Sequence, residues 1–123
     1  MKIITQADIR LAIPSQNVTQ YAHWSKYHAI KKSWLYALRA ALGTAPATLG
    51  RSPRRVEIIA WRSREMDYAN LVGGAKPIPD ALTRLGWLVD DSPQWMVCSY
   101  EQRLEKGRQK DPLTSVLIYE LDG

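Results

Sequence analysis

Cysteine is nearly absent: Cys98 is the only one. An intrachain disulfide is therefore impossible, and so is a zinc site built from several thiolates; a reducing cytoplasm fits that usage. Long apolar runs are missing too. Nothing approaches the roughly 18 consecutive apolar residues of a membrane span, so no membrane partner is expected. The opening MKIITQADIR meets Asp8 before any hydrophobic run develops and does not read as a signal peptide. Gly73, Gly74 and Lys76 fail the phosphate-loop pattern, because the lysine is followed by Pro77 rather than Ser or Thr. No nucleotide cofactor is expected, and the glycines read instead as a turn or a close backbone approach. No serine sits in a nucleophile-elbow pattern, and Cys98 inside a strand-like run reads as a small core hydrophobe. Repeats, low-complexity tracts and interdomain linkers are also missing, so residues 1–123 read as one domain with one core.

What is present is an ordinary globular composition, 46% apolar and 24% charged, with a basic balance. Seventeen Lys and Arg against twelve Asp and Glu leave a formal charge of +5. That surplus suits a polyanionic partner, and it equally suits plain solubility.

Alternation at Ile9, Leu11 and Ile13 against Arg10 and Ala12 predicts a half-buried strand over residues 8–13, ended by Pro14 and Ser15. From about residue 21 to 42 the period lengthens. Tyr27, Ile30, Trp34, Leu38 and Leu42 form the apolar stripe of an amphipathic helix, decorated by Lys26, Lys31, Lys32 and Arg39 and capped by Gly43. Val56, Ile58 and Ala60 against Glu57, Ile59 and Trp61 predict a second strand, apolar enough on both faces to be central. Pro79 suits the first turn of a second helix running through Asp80, Leu82 and Leu85 to Gly86. Strands are predicted over 95–102 and 114–121, with the polar LEKGRQKDP between them closing a hairpin. The fold class is α+β, a small mixed sheet of about four strands packed with two main helices.

Residues 64–91 hold Asp67, Asp80, Asp90 and Asp91, with Glu65, in a chain that is otherwise basic. Carboxylates repel one another, and a bound cation is the usual reason for clustering them. A hard cation such as Mg²⁺ takes oxygen from one or two carboxylates plus phosphate and water. Singly, each has a simpler reading: Asp67 as a helix cap, Asp80 in a first helical turn, and Asp90-Asp91-Ser92-Pro93 as a turn. His23 and His28 are five apart and do not share a helix face as a four-residue spacing would allow, so histidine ligation is not expected. Trp34, Trp61, Trp87 and Trp95 fall on predicted elements or their ends, where core packing is the default. Trp24 follows a polar loop near Lys26 and stands apart as a candidate for base stacking. Lys26, Lys31, Lys32, Arg51, Arg54, Arg55 and Arg64 are candidates for phosphate contacts, which need only charge and reach.

The order Asp67-Tyr68-Ala69-Asn70-Leu71, then Lys76-Pro77-Ile78-Pro79-Asp80-Ala81-Leu82, then Gly86-Trp87-Leu88-Val89-Asp90-Asp91 resembles the RusA-type Holliday-junction resolvases. The family's pattern is D-x-D-N-L, K-x-x-x-D-A-L, and a G-L and D-D pair before a strand. A looser likeness extends over the whole domain. The resemblance implies a cytoplasmic, bacterial or prophage-encoded homodimer that binds branched DNA and takes part in recombination and repair. Each subunit would hydrolyse a phosphodiester of a four-way junction with Mg²⁺ or Mn²⁺. By position, Asp67 and Asp91 would be metal ligands with Asp90 beside them. Lys76 would hold the scissile phosphate, while Asn70, Asp80 and Glu65 shape the site.

Two departures from the pattern stand out. Ala69 replaces the second aspartate of D-x-D, and the Gly73-Gly74 turn lengthens the spacing from Asn70 to Lys76. Glu65 or an extra water would have to supply the missing oxygen. Otherwise catalysis is weakened or lost and a junction-binding protein remains.

Overall fold

The computed structural model describes residues 2–16 and 24–121. Strand β1 (Lys2–Ile9) is followed by helix α1 (Trp24–Leu42), a 3₁₀ turn (Ala47–Leu49) and strand β2 (Arg54–Arg62). Two helices come next, α2 (Tyr68–Gly74) and α3 (Pro77–Arg84), then strands β3 (Met96–Leu104) and β4 (Leu113–Glu120). The α+β class, the four strands and the two main helices agree with the sequence pattern. The helix start expected near Tyr21, and His23 with it, lie outside the described residues.

The sheet runs β1-β4-β2-β3, so β2 is central as its two apolar faces required. Its neighbours differ in direction: β4 pairs with it antiparallel and β3 parallel. Val56, Ile58 and Ala60 of β2 join Val116 and Ile118 of β4 beneath the helices. Trp34, Leu35 and Leu38 of α1 and Ile78, Ala81 and Leu82 of α3 close that core from above. The α1 stripe is the one its periodicity predicted. Burial of this kind is worth about 1.5–3 kcal/mol per large aliphatic side chain. The opposite face of the sheet carries Trp61, whose indole N–H donates to Ser115 Oγ, which donates in turn to Asp8.

Two expectations fail. The first strand is Lys2–Ile9 and not 8–13: Ile9 and Ile13 are both buried, but pairing with β4 stops at Ile9↔Thr114. The alternation of Ile9, Leu11 and Ile13 reflects burial without a ladder partner. The hairpin is also wrong, because β2 lies between β3 and β4. Residues 105–112 instead pass over the end of β2, where Glu105 N–H donates to Arg62 O and Gln109 N–H to Ser63 Oγ. Arg108 holds that loop by ion pairs to Glu105 and Asp111. Directions of β3 and β4 are antiparallel, so a turn-rich loop reads as a hairpin. Only the tertiary arrangement inserts a third strand.

Parallel strands cannot be joined by a tight turn; they need a crossover. Here the crossover between β2 and β3 is the acidic stretch itself, folded as α2 and α3. Gly74 is the close approach within it. A methyl group there would stand 1.6 Å from the Pro14 carbonyl oxygen and 3.3 Å from the Ile13 side chain. Gly43 ends α1 at φ +71°, in the left-handed region that a C-cap glycine favours, and its amide donates to Arg39 O at 2.8 Å.

Gly74→Ala is therefore expected to lower unfolding free energy by about 1–3 kcal/mol, the usual cost of overpacking. Urea unfolding at constant m-value measures it; a shift in midpoint worth less than about 0.5 kcal/mol would mean that the Pro14 backbone yields freely.

Candidate functional site

A cleft of about 320 Å³ opens between α1 and α3. Its walls are His28, Lys31, Lys32 and Leu35 of α1, Pro77, Asp80, Ala81, Thr83 and Arg84 of α3, and Asp91 from the turn after α3. Helical periodicity explains the first wall, since residues 28, 31 and 35 share one face. Pro77 and Pro79 explain the second. They start α3 sharply, so that Asp80 falls in its first turn with its side chain half-buried.

Asp80 and Asp91 are the acidic pair that the fold makes. Burial first, then a hydrogen bond and like charge from Asp91, raise the Asp80 carboxyl above its ordinary value; Lys31 and Lys76 pull the other way. Like charges this close repel, which disfavours the ionised form of Asp80. Two adjacent oxygen donors flanked by lysines fit a hard divalent cation that keeps water or phosphate oxygen in its remaining positions.

The other expected residues are placed differently. Asp67 caps α2, its carboxylate accepting from the Asn70 amide at 3.2 Å. Just before it, Met66 is pinned to β3: its amide donates to Gln102 Oε1 and its carbonyl accepts from Gln102 Nε2, both at 2.7 Å. Asp90 accepts from the Asp91 amide at 2.9 Å and shapes the turn. The three expected ligands Asp67, Asp90 and Asp91 do not make a group of three, and no three His, Cys, Asp or Glu side chains among the described residues do. Glu65, Ala69 and Lys76 are exposed, and Lys76 lies near enough to Asp80 to act on its charge.

Of the expected phosphate-contacting cations, Lys31 and Lys32 line the cleft and Lys26 is exposed nearer the start of α1. Arg51 lies over the Trp95 ring at 5.8 Å, Arg64 is exposed, and half-buried Arg55 reaches Ser99 Oγ at 3.4 Å. Arg54 must be withdrawn from that set. It is 2% exposed, and its guanidinium donates to Ser52 O, Ser52 Oγ and Gly50 O, so burial keeps it from a phosphate. In the sequence it looked like one of three surface arginines; the alternation of β2 turns it inward.

His28, Thr83 and Arg84 were not singled out as site residues from the sequence. The signal for His28 was its step to Lys31 along one helix face, which the comparison with His23 obscured. Cys98 is half-buried in β3, and burial raises its thiol above the ordinary range, as befits a packed rather than reactive cysteine.

A raised folded-state pKa contributes stability that is full below the unfolded value and is lost as pH rises through the folded one. Cation-free protein should therefore lose part of its stability as pH rises from the ordinary aspartate range upward through the raised Asp80 value. Asp80→Asn should remove that loss, raising the melting temperature at pH 7 relative to wild type and less so at pH 4. Thermal melts in a chelator across pH check this; an equal shift at both pH values would show that Asp80 titrates as an ordinary carboxyl.

Compared with known proteins, the chain matches no family model, and no curated protein matches it.

Proposed function

We propose that the chain is a RusA-type, metal-dependent, structure-selective DNA endonuclease that resolves four-way junctions by phosphodiester hydrolysis. One observation carries the reading: Asp80 and Asp91, apart in sequence, share a cleft walled by Lys31 and Lys32, in the motif order that the resemblance rests on. The basic charge of the chain and its α+β fold support it without being specific to it.

Mg²⁺ or Mn²⁺, when bound, would polarise the phosphoryl oxygen and lower the pKa of an attacking water. Asp91 and Asp80 would hold it, with Asp90 fixing the turn that presents Asp91. Asp67, engaged at the start of α2, would enter the donor set only by giving up its cap. Lys76 places a fixed positive charge beside the carboxylates, where a pentavalent phosphorus is most negative. Lys31 and Lys32 would grip flanking phosphates without reading sequence. Two symmetric nicks require two symmetric sites, so the working unit is proposed to be a two-fold homodimer.

Ala69 and the capping role of Asp67 favour a second reading, a junction-binding protein with weakened or no cleavage. Incubation of a synthetic four-way junction with the protein and Mg²⁺ or Mn²⁺ separates the two. Paired nicks that fall by about 100-fold or more in Asp91→Asn are expected of the nuclease, within the range for losing an electrostatic catalytic group. Salt-sensitive junction binding that is indifferent to metal, with cleavage no higher than in the variant, establishes the second reading. Ala69→Asp should raise metal affinity and cleavage if a carboxylate there reaches the cation; unchanged rates would mean that it does not.

A further inference from the structure

Trp24 stands 72% exposed at the start of α1, whereas Trp34 and Trp87 are 2% and 7% exposed. The ring is held in place by the aromatic edge of His28, centroids 4.2 Å apart at 62°. His28 in turn lines the carboxylate cleft with Lys31 and Leu35. Positions 24, 28, 31 and 35 follow a four-, three- and four-residue step, so they form one ridge of the helix. From its inner end outward it presents a core leucine, a lysine, a histidine and an open indole. The rise from Lys31 to Trp24 is about 10 Å along the axis, comparable to about three stacked steps of a DNA strand.

The charge around this ridge has one sign. The 19 residues of α1 include Lys26, Lys31, Lys32 and Arg39 and no Asp or Glu. Among the described residues no ion pair holds Lys26, Lys32 or Arg39. An open π-face on a helix whose charges are all positive suits a nucleobase with its phosphate, since every base has a π-face and stacking tolerates any sequence. A fully paired duplex offers no such face, because its bases are stacked on both sides. A branch point does offer one, because there the stack is interrupted.

We infer that Trp24 is a base-stacking residue at the outer end of the cleft. It takes an unstacked base at the branch point while Lys31 and Lys32 hold the adjoining phosphates beside Asp80 and Asp91. The assignment rests on the nuclease reading and adds to it a physical basis for preferring branched over linear DNA.

The test measures binding of labelled four-way junction and of fully paired duplex of equal length, in chelator so that neither is cut. Trp24→Ala should weaken junction binding about 5- to 100-fold, the range for loss of one stacked base, and leave duplex binding within about twofold. Trp24→Tyr, which keeps a π-face, should recover most of the loss. The salt slope should stay unchanged in Trp24→Ala and fall by about 0.9 in Lys31→Ala, one phosphate contact. A 2-aminopurine at the branch point should be quenched by wild type and not by Trp24→Ala. Equal losses on both DNAs, no loss on either, or a change of oligomeric state on substitution of Trp24 would overturn the assignment. Wild type that cuts or binds junctions while Trp24→Ala behaves identically sinks the stacking role alone. Wild type that binds neither DNA overturns this inference and the nuclease reading together.

Discussion

The parallel pairing of β2 with β3 is the constraint on which the rest of this structure depends. A parallel pair obliges the chain to leave one end of the sheet and return to the other, and the return path must be covered and packed. Residues 63–95 form that path. Their two helices put Leu71, Ile78, Ala81 and Leu82 into the core over β2 and β4. Asp80, between those anchors, is thereby left lining the cleft against α1. Asp80 and Asp91 meet because packing fixes both ends of α3.

Backbone economy at Gly74 makes the crossover possible. Helix α2 runs so close to the segment after β1 that no side chain fits between Gly74 and the Pro14 carbonyl. The same contact brings residues 13–16 against α2, and Arg62 adds a hydrogen bond to Ile13 O at 3.3 Å. The crossover is thus tied to β2, β3 and the chain after β1 at separate points. The α3 wall of the cleft stands on that anchored segment, and fixed placement of charge is what such a site requires.

Electrostatically the molecule places its unfavourable interaction at one location. A half-buried carboxylate, Asp80, is held beside the exposed Asp91 in a chain of net positive charge, and only lysines offset the pair. Structures tolerate such an arrangement when a ligand or cation relieves it, and this is the physical content behind the proposed nuclease. Helix α1 supplies the complementary half, a helix whose charged residues are all cations, with an open indole at its outer end. Carboxylates and cations share one cleft because α1 packs against α3 through Trp34, Leu35 and Leu38.

Local sequence by itself determined the elements whose signal is local. The stripe from Tyr27 to Leu42 fixed α1, the doubly apolar Val56–Ala60 run fixed a central strand, and Pro79 marked the first turn of α3, which begins two residues earlier at Pro77. Gly73 and Gly74 read as a turn or a close approach; they lie in helix α2, and the close approach to backbone is at Gly74. What depended on distant partners was not legible. Arg54 is buried because it shares the face of Val56, Ile58 and Ala60 that the helices cover, and β1 ends at Ile9 because its pairing with β4 stops there. The loop after β3 became a crossing over β2 since strand order is set by burial of the most apolar strand and not by loop length. Which aspartates would meet was likewise a tertiary decision. Spacing along the chain is blind to which side of a helix or turn faces a common cleft, and packing chose Asp80 to stand beside Asp91.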